Sequence, residues 1–282
     1  MLTPIIILFL VFMIVPILAG LVMSMYDYNP LRAENPFIGL DNFIKLFHDP
    51  IFMKSLKNTL VFVFVTGTVN ICICLVLAQL ICSLRWSKLR SAFRVIFFMP
   101  CVAPLIASAT VWRGLYSTNY GLINVFLENV LHIPGINWLG SPTFIMPAVI
   151  IFTLWADIGY NIIILSAGMD GIPKEFYEAA DIDRAGRVKK FFNITLPLLG
   201  RTLSFVIAMT FISHFQMFAQ FQALAFRGGP NQSGNVLTYY IYKTAFVSKD
   251  MGYASAIALA LFLLIMIFTV IQQRLNKVDW GY

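Results

Sequence analysis

Charge is what this sequence has least of. Asp, Glu, Lys and Arg supply 12% of its 282 residues and hydrophobic residues 59%, whereas a soluble domain carries about 25% charged residues. Too little polar surface remains to cover a water-soluble globule, so lipid is the solvent this chain is built for. The mean hydropathy of +0.80 agrees. Histidine is rarer still: three residues, at 48, 132 and 214, form no ligand cluster. The four cysteines, Cys72, Cys74, Cys82 and Cys101, lie in or at the end of apolar segments. Their spacing suits neither zinc nor haem, so they read as core packing. No Gly-x-x-x-x-Gly-Lys-Ser/Thr phosphate loop occurs, which excludes ATP binding by this chain itself. Gly-x-Ser-x-Gly and His-Glu-x-x-His are missing too. Ser213 and His214 are sequence neighbours on one helix, so they do not face each other as a nucleophile and base would. The net charge of +7 comes without a basic face of interleaved aromatics, which excludes a nucleic-acid partner.

What the sequence does have is a set of long apolar runs. Six of them, over about 4–26, 58–84, 94–113, 143–168, 202–226 and 251–273, each come close to the ~20 residues a helix needs to cross hydrocarbon. The first has no basic segment before it and is long enough to span, so it reads as a retained helix rather than a cleaved leader. The segment 83–94 carries Arg85, Lys88, Arg90 and Arg94 with no acid. The segment 170–201 carries Lys174, Arg184, Arg187, Lys189, Lys190 and Arg201, and the tail adds Arg274 and Lys277. The positive-inside rule puts these loops and both termini in the cytoplasm, and the loops 27–57, 113–142 and 227–250 outside. The expectation is one domain, 1–282, with an all-α integral membrane fold. It has six transmembrane helices and a cytoplasmic helix-turn-helix between spans four and five.

That loop, 170–200, is the most informative stretch. Gly171 and Pro173 read as a turn into a helix whose first turn holds Glu175 and Glu178, where a helix N-terminus favours negative charge. Phe176, Ala179, Ala180 and Asp183 share a face. After Ala185-Gly186 a second short helix carries Arg187, Lys189 and Lys190, and Pro197 breaks or kinks the chain before the fifth span. A helix-turn-helix joined rigidly to the spans on either side is a lever that a docked partner could push.

At these residues the chain resembles the inner-membrane permease component of binding-protein-dependent ABC importers. The family signature is Glu-Ala-Ala, three residues, Gly, nine residues, then Ile-x-Leu-Pro. Here Glu178-Ala179-Ala180 is followed at that distance by Ile194-Thr195-Leu196-Pro197, but Arg184 stands where the family has Gly. A left-handed turn is unfavourable for Arg, so either the turn shifts to Gly186 or the loop couples differently. Gly39-Leu40-Asp41-Asn42-Phe43, Asn58-Thr59, Arg227-Gly228-Gly229-Pro230 and Gly252-Tyr253-Ala254-Ser255-Ala256 are, in that order, similar to the carbohydrate branch, the maltose, glycerol-phosphate and oligosaccharide importers.

The resemblance implies a bacterial or archaeal cytoplasmic membrane and four further partners in kind: a second homologous permease, two ATPase subunits, an extracellular solute-binding protein and membrane lipid. ATP and Mg would be bound by the ATPase subunits, with no cofactor in this chain and no enzymatic activity of its own. It implies ATPase coupling through Glu178, Ala179, Ala180, Asp183, Arg184 and Gly186; the plain alternative for Glu178 is to satisfy the helix dipole.

Candidates for the solute path come from polar groups inside the spans. Asp157, with Trp155, Tyr160 and Asn161, interrupts the fourth run, and a charge there is either functional, part of an interhelical hydrogen bond, or placed near the headgroups. In the fifth run Ser213, His214, Gln216, Gln220 and Gln222 set hydrogen-bonding groups beside Phe215, Phe218 and Phe221, a combination that suits a sugar and equally suits helix–helix adhesion. Arg113 and Arg227 read as snorkelling at the outer boundary. A membrane-embedded enzyme lacks its motifs here, and an ATP-independent carrier or channel has no reason to carry the loop signature.

Overall fold

The computed structural model describes residues 3–275; Lys277 of the basic tail lies outside them. Four helices are long and apolar enough to cross a membrane: α1 (Thr3–Met23), α3 (Pro50–Cys82), α7 (Ile145–Asp170) and α13 (Met251–Leu275). Two bent pairs bring the number to six if each is one span. They are α4 (Ser87–Val102) with α5 (Leu105–Leu115), bent by 94°, and α9 (Arg187–Leu198) with α10 (Gly200–Phe215), bent by 73°. Short helices fill the connections: α2 (Asp41–His48), α6 (Leu122–Asn129), α8 (Glu175–Ile182), α11 (Ala219–Leu224) and α12 (Leu237–Tyr242). Among the described residues the one β-type pairing is an isolated bridge from Tyr26 to Phe37.

The helices overrun the apolar runs that mark them. α3 begins at Pro50, well before the run that starts at 58, because Asp49 caps it by accepting a hydrogen bond from the Ile51 N–H (2.8 Å) and Pro50 suits the first turn. Lys54 and Lys57 are therefore helical. The third run is not one straight helix. Pro100 and Pro104 bracket a break at Ala103, whose extended backbone (φ −67, ψ 139) turns the chain between α4 and α5. The fifth run also breaks: α10 stops at Phe215, and the chain re-enters helix only at Ala219. The kink near Pro197 falls two residues later, at Leu199, after a π turn over Phe191–Thr195.

α7 is the hub. It packs along α3 and α4 and also touches α5, α10 and α11, and thirteen of its 26 residues are buried. Where lipid surrounds the protein, helices associate through close packing and polar contacts rather than by hiding from water. Gly159 shows this directly: a Cβ there would lie against the Phe97 carbonyl oxygen and 2.7 Å from the Phe98 Cα. α4 and α7 therefore touch backbone to backbone. Phe62, Phe152, Phe215, Phe221 and Leu237 fill the shared core. α1, by contrast, has none of its span buried within the chain.

The connection before α3 is tied to the end of the chain by one carboxylate. Tyr240 of α12 and Tyr253 of α13 both donate to Asp49 Oδ2 at 2.6 Å, and Lys45 reaches Asp250 at 3.1 Å while lying over the Tyr253 ring. Burial pushes the Asp49 carboxyl up, but the two phenol hydrogen bonds and the Ile51 and Phe52 N–H groups outweigh it, and its pKa falls below the ordinary carboxylate value. A depressed folded-state pKa stabilises the fold above the ordinary value and loses that contribution as pH falls through the folded one. Asp49→Asn should therefore cost about 1–3 kcal/mol near neutrality, from lost charge-assisted bonds at a half-exposed site. It should also flatten the fall in melting temperature between pH 5 and pH 2. A variant that melts like the wild type across that range would refute the assignment.

Candidate functional site

Two features stand out, a cleft in the helix bundle and a hairpin projecting from one end of it. The cleft, about 440 Å³, opens at the α4–α5 break and is walled by α7 and α10. Pro100, Cys101, Ala103 and Leu105 form the side contributed by the break. Asp157, Tyr160 and Asn161 come from α7, and Thr210, Ser213 and His214 from α10. Spacing explains the first trio, since residues three and four apart lie on one helix face. Asp157 falls at the middle of the 26-residue α7. Its carboxylate lies 3.5 Å from the His214 Nε2, and the imidazole is buried. Asn161 donates to Asn70 Oδ1 (2.7 Å) and Thr210 Oγ1 (2.9 Å), which joins α3, α7 and α10. The buried Cys74 thiol adds contacts to Asn70 Oδ1 and the Ile158 carbonyl.

The other path candidates lie elsewhere. Trp155 packs at tilted angles against Trp112 and Phe152. Phe215 is in the core against Phe268. Gln216 is exposed at the end of α10, and Gln220 is buried on α11, which packs on α5. Of the cysteines, Cys74 is buried as expected of core packing, Cys101 lines the cleft, and Cys72 is exposed. Asn70 was missed. An amide inside the second apolar run is itself a signal, because a polar group there must find a partner on another helix.

The hairpin connects the two helices that wall the cleft. Past Gly171 and Pro173, α8 carries Glu175 and Glu178 in its first turn, and α9 returns with Arg187, Lys189 and Lys190. Tyr177 pairs with Thr195 Oγ1 at 2.9 Å, and Lys190 forms an ion pair with Asp181, so the two arms are clasped. At the base, Arg94 and Arg90 of α4 reach the Asp170 carboxylate at 2.7 and 3.4 Å. Glu178, Ala179, Asp183, Arg184 and Gly186 are exposed and Ala180 half-buried. Ile182 and Val188, on either side of the turn, stand 83% and 72% exposed, and Phe176 is also exposed.

The turn does not shift to Gly186. Arg184 itself adopts the left-handed conformation, φ +51, while Gly186 is ordinary extended backbone at φ −66. The reason is the hydrogen-bond pattern that ends α8: the Ala185 N–H donates to the Ala180 carbonyl (2.9 Å) and the Arg184 N–H to the Asp181 carbonyl (3.0 Å). This closure fixes which residue must be left-handed, whatever its side chain. Arg184→Gly should then stabilise the hairpin by about 1 kcal/mol, seen as slower hydrogen exchange at the Ala185 amide. Faster exchange would mean the turn is not strained by Arg.

The loop between α11 and α12 shows what the Gly-Gly-Pro and Asn-Thr pieces do. Gly228 and Gly229 have φ +88 and +69, and a Cβ on Gly229 would collide with the Ile145 side chain. Asn58 Nδ2 donates to the Gln232 and Asn235 carbonyls at 2.9 Å each, and the Leu237 N–H donates to Thr59 Oγ1. Two short motifs far apart in sequence thus form one joint between α3 and this loop.

Comparison with known proteins places the chain. It is 32% identical over 274 residues to the arabinooligosaccharides transport system permease protein AraP of Bacillus subtilis, covering 97% of this chain and 86% of that protein. It is 33% identical over 272 residues to the sn-glycerol-3-phosphate transport system permease protein UgpA of Yersinia enterocolitica, covering 94% and 88%. In fold it is similar to a chain of a bacterial ABC transporter involved in import of the acidic polysaccharide alginate, with TM-score 0.87, 23% identity, and 100% and 95% of the two chains covered. The family model for the binding-protein-dependent transport system inner membrane component matches residues 1–277, and the chain belongs to that family.

Proposed function

We propose that this chain is a transmembrane permease subunit of an ATP-driven importer. It forms part of the path for a sugar or oligosaccharide delivered by an extracellular binding protein, and it couples to an ATPase through the 170–200 hairpin. The observation that carries this is a shared pair of helices: α7 and α10 wall the cleft, and the hairpin joins their ends. A force on the hairpin is passed to Asp157, Tyr160 and Asn161 on one wall and Thr210 and His214 on the other. The Arg90 and Arg94 contacts to Asp170 draw α4, which carries the third wall, into the same motion. Switching of access by rigid movement of packed helices needs this geometry.

In this reading the α4–α5 pair is one span and the fifth span starts at α10, so six spans cross the membrane, with both termini and the hairpin, α9 included, in the cytoplasm. Glu178, Ala179, Ala180, Asp183 and Arg184 meet the ATPase subunit, and Gly186 opens α9. ATP and Mg are bound by that subunit, two of which serve this chain and a second homologous permease. Solute contact falls to the cleft residues Asp157, Tyr160 and Asn161. Trp155, Phe215 and Gln220 pack behind the walls, and Gln216 stays a candidate for solute contact beyond the cleft. The sugar assignment draws on the order of carbohydrate-branch motifs and on the similarity to AraP, an arabinooligosaccharides permease; UgpA keeps glycerol phosphate as the second solute class. The test is uptake of labelled sugars and glycerol phosphate by cells with and without the chain, before and after ATP depletion. Chain-dependent uptake that survives ATP depletion would replace the importer by a self-sufficient carrier.

A further inference from the structure

We infer that the cleft selects neutral polyhydroxyl solutes and rejects anionic ones, with Asp157 as the selecting residue. The inference rests on the permease reading above and narrows it, because relatives of comparable identity carry both neutral oligosaccharides and a phosphate ester by name. Asp157 lines the cleft from the middle of α7. Among the described residues that line it, none is Lys or Arg. Among the described residues, the basic group found against Asp157 is His214, 3.5 Å away. A phosphate or uronate entering this space would bring a second negative charge beside a carboxylate in low-dielectric surroundings, with no guanidinium or ammonium in the lining to offset it.

A sugar meets the opposite situation. Its hydroxyls donate to Asp157 in charge-assisted hydrogen bonds, and they can exchange with the Ser213 hydroxyl and the Tyr160 phenol, both exposed or half-exposed in the cleft. A carboxylate in mid-span is itself expensive to keep, and one imidazole at 3.5 Å, its ion-pair partner among the described residues, offsets little of that cost.

The experiment uses the host cell with the chain deleted and then restored as wild type, Asp157→Asn or Asp157→Glu. Labelled arabinobiose, diacetylchitobiose and maltose are the neutral probes; glycerol 3-phosphate and a glucuronate-bearing disaccharide are the anionic ones. In parallel, the tagged chain is purified to measure the ATPase recovered with it. The expected result is chain-dependent uptake of a neutral probe, with anionic uptake at the deletion background. Asp157→Asn lowers the neutral rate about tenfold or more, as loss of a charged hydrogen-bond acceptor should, with recovery of the ATPase unchanged. Asp157→Glu, which keeps the charge, retains at least half the rate; a merely packing role would be hurt more by the longer side chain than by the isostere. With the ATPase recovered, chain-dependent uptake of an anionic probe, of no neutral probe, or at an undiminished rate in Asp157→Asn overturns the inference. If no ATPase is recovered with the wild type, the permease reading itself has failed.

Discussion

Reversing one exposed charge at the hairpin, Glu178→Lys, should abolish solute uptake while leaving the chain folded in the membrane. Glu178 lies in the first turn of α8 and is exposed. No ion pair or hydrogen bond of its side chain is found among the described residues, so the fold loses little beyond a helix-dipole interaction of roughly 0.3–1 kcal/mol. If the side chain is buried against an ATPase subunit in the assembly, reversal leaves an uncompensated charge there. Losses at such sites run from 2 to above 5 kcal/mol, roughly 30-fold or more in assembled complex. The two roles predict different outcomes. A dipole-only role gives near-normal uptake with a slightly lower melting temperature; a docking role gives no uptake with melting almost unchanged. Normal uptake in Glu178→Lys cells would remove this residue from the coupling surface.

Gly159→Val should be the most damaging substitution away from the hairpin. The glycine sits where α7 meets α4, with the Phe97 carbonyl oxygen and the Phe98 Cα already against the position a Cβ would take. These are backbone atoms of a neighbouring helix, so no rotamer change relieves the clash and α4 must move off α7. Overpacking of this kind costs about 3 kcal/mol or more. The displaced α4 would also carry Cys101 and the break at Ala103 away from Asp157 and Asn161. The variant should give little monodisperse protein in detergent and no uptake, with Gly159→Ala impaired in the same direction but less. Wild-type melting and uptake in Gly159→Val would show that α4 and α7 do not approach so closely.

The apolar runs made the long helices legible because, in lipid, each backbone polar group must be satisfied within its own helix. What they could not show is where a helix outlasts its apolar stretch or breaks inside it. Lys54 and Lys57 look like a boundary, yet α3 continues through them to its cap at Asp49. Between Arg94 and Arg113 no charge marks the turn at Ala103; only the Pro100 and Pro104 pair hints at it. The cleft was half legible. Asp157, Tyr160 and Asn161 announce themselves by polarity and helical spacing in the fourth run. Ser213 and His214 stand out likewise in the fifth run, but Thr210 on α10 and Asn70 on α3, the partners of Asn161, depend on tertiary packing that no single run encodes. Trp155 shares the sequence neighbourhood of Asp157 but points to Trp112 and Phe152, a different face of the same helix. Arg184 shows a local rule yielding to a hydrogen-bond pattern: the disfavoured residue stays left-handed because Ala180 and Asp181 need their carbonyls closed there.

The central claim is that this chain supplies the path and the lever and takes its energy from another subunit. The most direct measurement is purification of the tagged chain from native membranes in mild detergent, wild type beside Glu178→Lys, with mass spectrometry of what accompanies it. The account predicts a second permease and an ATPase with the wild type, and the second permease without the ATPase with the variant. Recovery of the chain alone, or only with copies of itself, in both samples would contradict it.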